Sequence, residues 1–392
     1  MPRNRSPIVN VMLLALAALV LATIVGLVLL WPSGKLKRPT SIQTIATLGA
    51  RVTHSSRGPC TFNRGSTCQS VTVKLSSGPR KGGSTTFEVT PIPGLGALKR
   101  GDLIRVIRNP PPPVGSTVKL PPYSFSDFDR RLPMVWLGIA FVVLLLATGR
   151  FHGLRALVGL AASLVIVLKF VIPSILMGHS AVAVALVGAL AVMLVTIPLS
   201  YGLGAKAIAA WLGTAASLML AVLLAYGFTH LAHLTGASSE EATLLNATDS
   251  KISLQGLLLA GMVIGALGVL VDLTVSQAST VIALRRANPA LRFRELFRGA
   301  VDVGHDHIAA TVNTLVFAYA GASLPVLLIF SIGGTTFTDS VNSEAVAEEI
   351  VAALVGSIGL IASMPITTGL AALLALRMSD RQLSAQAHAH AH

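Results

Sequence analysis

Asp272 stands in a run of apolar and small residues, Gly265-Ala-Leu-Gly-Val-Leu-Val-Asp272-Leu-Thr-Val-Ser276-Gln277-Ala-Ser279. Ser276 and Ser279 follow it at i+4 and i+7, so on a helix all three share one face. A carboxylate with hydroxyls stacked below it can coordinate a cation, relay a proton or hold a polar substrate. The same three residues also suit a cap or a polar contact between helices near the cytoplasmic end. An ionisable group in hydrocarbon needs a partner or an aqueous cavity, which makes Asp272 the first candidate for function.

A second constellation is Asp302, His305, Asp306, His307, Asn313 and Thr314, with Tyr319 further along. His305 and His307 are two apart and point to different helix faces, which is poor geometry for two ligands on one metal. Asp306 and Asn313 are seven apart and align, so a polar pathway or an interfacial anchor is the preferred reading, with no metal and no cofactor. Lys169 stands alone in an apolar stretch four residues before Pro173, and Asp272 or Asp306 would be its counter-charge. His230 and His233, at i and i+3, read as interfacial residues or as a proton sensor. The chain has no phosphate-binding glycine loop, no dinucleotide fingerprint, no His-Glu-x-x-His and no Gly-x-Ser-x-Gly, so neither an enzyme nor an ATP-driven motor is expected.

What must position these residues is a set of membrane helices. Of 392 residues, 53% are hydrophobic and only 12% charged, too much apolar surface for one water-soluble core. Apolar runs near 8–31, 133–149, 154–177, 181–201, 207–233, 254–276, 306–332 and 348–376 approach or exceed the roughly 20 residues a spanning helix needs. About eight transmembrane helices are therefore predicted, the first an uncleaved anchor, in a polytopic α-helical protein. With the N-terminus inside, Arg150, Arg155, Lys206, the group from Arg285 to Arg298, Arg377 and Arg381 all fall in cytoplasmic loops. The short outer loops are acidic instead, with Glu240, Glu241, Asp249, Asp339, Glu344, Glu348 and Glu349.

Residues 33–132 are different in kind. They carry sixteen Lys or Arg against four Asp or Glu and hold much of the net charge of +14. A translocated domain of this length ignores the charge rule, so the excess argues for anionic lipid or envelope surfaces, or plain solvation, and against nucleic acid. Period-two alternation at Val71, Val73, Leu75 and at Phe87, Val89, with Gly-rich breaks, predicts a small extracytoplasmic all-β domain, a barrel or a sandwich. Cys60 and Cys68, the only cysteines, flank the Arg64-Gly65 turn and are expected to form a structural disulfide. Pro110–Pro113 reads as a stiff tether back to the membrane. The domains are therefore an anchor (1–32), the β-rich domain (33–132), seven helices (133–377) and a disordered His-rich tail (378–392).

The assembled residues resemble the YibE/F family of bacterial multi-pass membrane proteins. The resemblance rests on Gly265–Asp272 running into Ser276-Gln277-Ala-Ser279, on Gly304-x-x-His307 leading to Asn313-Thr-Leu and Phe317-Ala-Tyr-Ala-Gly321, and on Gly356-Ser-Ile-Gly-Leu with Met364-Pro-Ile-Thr-Thr. It covers most of 130–376, while the β domain matches in layout only. It implies a permease-like protein of the bacterial cytoplasmic (inner) membrane, and the charge asymmetry of the loops puts both termini in the cytoplasm. It also adds weight to Asp272, Ser276, Gln277, His307, Asn313, Thr314, Glu349 and Thr367 as the polar positions inside the shared motifs.

The expected function is a proton- or ion-coupled secondary transporter or flippase, whose partners are membrane lipids and an unknown solute, ion or lipid. Asp272 and the Asp306/Asn313 face would line the path, and helices interrupted by Gly and Pro suit a midplane site. The alternative is a non-transporting scaffold or envelope-assembly factor acting through its β domain. A third reading is an intramembrane metal hydrolase built on Asp302, His305, Asp306 and His307.

Overall fold

A computed structural model describes residues 7–34, 47–61, 67–90, 96–110, 121–248 and 251–378. The Arg64-Gly65 turn, all but the first of the four prolines at 110–113, Asp249, Arg381 and the His-rich tail lie outside the described residues. The chain divides into two compact units, Thr40–Leu145 and the combination of Met1–Pro39 with Leu146–His392.

In the first unit, β1 (Thr47–Pro59), β2 (Thr67–Leu75), β3 (Ser84–Val89), β4 (Leu103–Arg108) and β5 (Tyr123–Phe128) form one antiparallel sheet. Their order is β3-β2-β1-β4-β5. Alternate residues point to one side of a strand, so Val71, Val73, Leu75, Phe87 and Val89 line a common core with Ile104 and Val106. The outer strands β3 and β5 approach each other, and the sheet curls into a half-barrel rather than stacking as a sandwich. Gln69 on β2 donates to the Leu98 carbonyl at 2.6 Å and accepts from its N–H at 3.0 Å. That pair does the work of a missing strand pairing and seats Leu98 in the core, 2% exposed.

Cys60 and Cys68 are joined by a disulfide across eight residues where β1 hands over to β2. Beside it, Thr61 donates its N–H (3.0 Å) and its hydroxyl to the Glu88 carboxylate. Those donors hold the Glu88 carboxyl below its ordinary range. Replacing both cysteines with serine removes a short-loop constraint on the unfolded chain and is expected to cost about 2–3 kcal/mol. Chemical unfolding of oxidised and double-serine protein, followed by a sheet-specific signal, would expose an error if the two midpoints coincide.

The second unit is helical. Its elements are α1 (Pro7–Leu29), most of α2 (Arg131–Ile166), a π-helical turn (Val167–Val171), α3 (Ile172–Leu176), α4 (Ala181–Tyr201), α5 (Ala205–Leu231), α6 (Glu240–Thr248), α7 (Leu254–Ala287), α8 (Phe293–Ala322), α9 (Leu324–Ile332), α10 (Phe337–Asn342) and α11 (Glu344–Ala375). The Ser253 side chain caps α7 by accepting from the Gly256 N–H, and Glu295 reaches back to the Arg292 N–H to start α8.

Burial is inverted relative to a water-soluble protein. Alanines such as Ala185, Ala189, Ala210, Ala221 and Ala278 fill the helix contacts, while Leu14, Leu21, Leu160, Leu164 and Leu223 are exposed. Small residues admit close backbone approach where lipid supplies no hydrophobic drive between helices, and large apolar side chains dissolve in acyl chains. This is a multi-pass membrane protein.

Among the described residues six helices are long and apolar enough to span, or seven if α8 and α9, bent by 58°, form one broken span. The sequence-derived figure of about eight is higher because it divides Arg131–Leu176 in two. That segment has 46 residues, and at 1.5 Å per residue it would run roughly 69 Å, about twice a hydrocarbon core. Its helical path breaks at Arg150, whose φ of 45° and ψ of −122° lie outside the helical region.

Candidate functional site

The middle of the helical unit is α7, which packs against α4, α5, α8 and α11. One face of it stays open. Gly261, Gly265, Gly268 and Asp272 succeed each other along that face, all exposed, with Ser276 and Ser279 half-buried below. Asp272 sits near the centre of this 34-residue helix with its side chain 67% exposed. A carboxylate at that depth cannot face acyl chains without a partner or water.

Its partner comes from α8. His307 Nε2 lies 3.5 Å from Asp272 Oδ2, a charge contact longer than a hydrogen bond. Two features put the imidazole there. Gln277, one and a half turns further along α7, donates through Nε2 to the Ala300 carbonyl at 2.6 Å and pins α8 about two turns before His307. Gly304 leaves room for that amide, because a Cβ there would stand 2.9 Å from Gln277 Oε1 and 3.0 Å from its Nε2. Gly304→Ala should therefore push the amide off Ala300 and lengthen the Asp272–His307 contact. The expected cost is about 1–3 kcal/mol of stability, with a displaced His307 ring signal in a site-resolved NMR spectrum; an unmoved signal would show that Gln277 does not set the pair.

The other sequence candidates are distributed around this pair. Ser279 donates to its own helix at the Val275 carbonyl (2.6 Å), and Thr314 does the same to Ala310 (2.9 Å). Thr367 on α11 is fully buried against Gly213 of α5, and its hydroxyl has no hydrogen-bond partner among the described residues. Glu349 is half-buried near the start of α11. Asp306 and Asn313 lie on the face of α8 turned away from α7, exposed, as does His305, while Thr314, seven residues after His307, is exposed on the His307 side of the helix.

Lys169 is exposed in the π-helical turn, and among the described residues no ion pair joins it to Asp272 or Asp306. The expected Lys169 counter-charge is thus replaced by His307, because the open face of α7 is flanked by α8. No three His, Cys, Asp or Glu side chains come together as metal ligands among the described residues.

A feature that spacing could not reveal lies at the other end of α7 and α11. Glu344 accepts from the Thr235 N–H, from the Thr235 hydroxyl at 2.7 Å and from the Gly236 N–H at 3.0 Å, and Glu348 accepts from the Ser238 hydroxyl at 2.6 Å. These two carboxylates fasten the loop after α5 to the start of α11. In the sequence they read only as charge in an acidic loop, since their partners are about 110 residues away.

A family model described as YibE/F-like protein matches residues 137–377, well over half of the chain. The chain belongs to the YibE/F-like family. No curated protein and no solved structure matches it. The YibE/F-like segment contains Asp272, His307, Gln277, Gly304, Gly213 and Thr367, whereas the five strands of the half-barrel end before it begins. The pair therefore lies in the part of the chain that the family model matches, and the half-barrel lies outside the match.

Proposed function

We propose that this YibE/F-like protein is a proton- or ion-coupled secondary transporter or flippase with the Asp272–His307 pair at its centre. The observation that carries the reading is a mid-helix carboxylate, 3.5 Å from an imidazole, on an open glycine-lined face of α7. A carboxylate and an imidazole are both side chains that can take up and release a proton. The glycines leave space beside the pair for a small solute or a lipid headgroup.

In this reading the chain crosses a bacterial cytoplasmic membrane eight times, with Arg131–Leu176 divided at Arg150 into two spans and α8 with α9 forming one. Both termini then lie in the cytoplasm with the basic loops, and the half-barrel lies outside. The test is purified protein in liposomes under an imposed pH gradient, presented with a panel of ions, lipids and small metabolites. Substrate-dependent proton movement supports the reading, and silence across the panel in folded protein counts against it.

A scaffold role keeps one observation of its own. Arg51 and Lys74 lie directly opposite each other on the exposed side of β1 and β2. Like charges so placed destabilise a sheet, which favours an anionic partner for that face, such as an envelope polymer. On this alternative, deleting residues 40–110 removes function and Asp272→Asn is tolerated.

A further inference from the structure

The open side of α7 is a groove with two walls, and one end of it carries separated charges. Val271 packs into the cluster that holds Met193 and Ile197 of α4, and Val269 into the cluster that holds Ile308 and Val312 of α8. Between them the floor is backbone, since a Cβ on Gly268 would meet nothing within 4 Å among the described residues. At Gly265 the Tyr319 hydroxyl of α8 comes down, 3.2 Å from where a Cβ would stand, and closes the groove. Asp272 marks the other end, seven residues on, roughly 10 Å along the helix.

At that end Asp272 accepts no hydrogen bond among the described residues, and His307 Nε2 beside it is buried with no hydrogen-bond partner. On the α4 wall, Tyr201 stands within electrostatic reach of Asp272, and Lys206 Nζ lies 4.6 Å from the centre of the Tyr201 ring. Lys206 is half-buried, and no carboxylate pairs with it among the described residues. A carboxylate without a donor and an ammonium without an anion, with one tyrosine between them, form a dipole whose complement is a ligand of opposite polarity. Asp272 is 18 residues past Leu254, where α7 begins. That is roughly 27 Å against a hydrocarbon core of about 30 Å, which puts the carboxylate beside a headgroup layer.

We infer that the groove binds a phospholipid with a primary-amine headgroup, its ammonium on Asp272, its phosphate toward Lys206 and the first part of one acyl chain over Gly268. The ammonium brings three N–H donors to a carboxylate that has none, and a quaternary amine would bring no donor. The phosphate supplies the anion that Lys206 lacks. The groove opens sideways along its length at membrane depth, which admits a chain from the bilayer. This names the substrate class of the Asp272–His307 pair, so it rests on the transport reading for turnover, while binding needs no flux.

The test counts lipid on the full-length protein in detergent by native mass spectrometry. The probes are dioleoylphosphatidylethanolamine, its N-acetylated form and phosphatidylglycerol with the same chains. The amine lipid should bind about tenfold more tightly than the other two, the worth of one charge-assisted hydrogen bond. Asp272→Asn should bring it down to the level of the N-acetylated lipid, whose own binding stays unchanged. Lys206→Gln should weaken both, because both keep the phosphate. Equal binding of amine and N-acetylated lipid by the wild type overturns the assignment, as does an amine preference that survives Asp272→Asn. Glycerophosphoethanolamine, which has the head and no chains, should compete poorly; competition as strong as the lipid's overturns the acyl groove. A dimer with no lipid preference would show the face covered by a second copy and also overturns it. Selective binding without flux in liposomes keeps the lipid site and removes the transport reading, whereas flux without selective binding does the reverse.

Discussion

Asp272→Asn is expected to abolish substrate-coupled proton flux in liposomes while leaving a folded, monodisperse protein. Asparagine keeps the size and hydrogen-bonding capacity of the side chain and removes only its charge and its proton. Because that side chain is 67% exposed and packs against little besides His307, its neutralisation releases no buried cavity and strands no hydrogen bond. The loss of a positioned proton-transfer group commonly costs about 100-fold or more. A decrease of that order in flux, at unchanged thermal stability, is the expected pattern. His307→Gln should lower flux in the same assay, and Asp272→Glu should recover part of it by restoring the carboxylate on a longer stem. Wild-type flux in Asp272→Asn would remove the pair from the mechanism and turn attention to the half-barrel.

The largest structural effect is expected from one methyl group at Gly213. An alanine Cβ there would stand 2.0 Å from Thr367 Oγ1, 3.0 Å from Thr367 Cβ and 3.3 Å from its Cα. The hydroxyl can rotate away. The Cβ and the backbone of α11 cannot, so α5 and α11 must separate along a contact that also holds Gly359 against Ala221, where an added Cβ would stand 3.3 Å away. Overpacking of this kind costs about 1–3 kcal/mol, and prising apart two long helices places Gly213→Ala at the upper end of that range. Gly261→Ala is the matched control, since a Cβ there meets nothing within 4 Å among the described residues. Thermal unfolding in detergent should separate the two variants by several degrees. Equal midpoints would mean that the α5–α11 contact is looser than its geometry. Adding Thr367→Ala to Gly213→Ala should restore stability only in part, because the Thr367 Cβ remains.

These two residues also show how unevenly the site can be read from the chain alone. Asp272 announces itself, since a carboxylate amid apolar residues at helical depth has few innocent explanations. Gly213 does not, because one glycine among thirty-five carries no mark of the threonine that fills its place. Gln277 and Gly304 are intermediate: both lie in motifs that resemble the YibE/F family, yet only their approach across the α7–α8 contact gives the amide its acceptor at Ala300.

What the sequence determined by itself is everything governed by local period and by solvent. Apolar runs of bilayer length made the chain a membrane protein, alternation at Val71, Val73 and Leu75 made its polar segment a sheet, and two cysteines admit one pairing. Helical spacing also assigned faces, putting Asp272 with Ser276 and Asp306 with Asn313. It could not say which way a face turns. Asp306 and His307 are adjacent in the chain, yet the first points away from α7 and the second meets Asp272 across it. A helix advances about 100° per residue, so neighbours in sequence diverge in space, and only the packing of α8 on α7 decides which of them reaches the carboxylate. The same limit explains Lys169, whose charge made it a plausible partner and whose π-helical turn leaves it on the outside. Tertiary contact, not spacing, made histidine the partner.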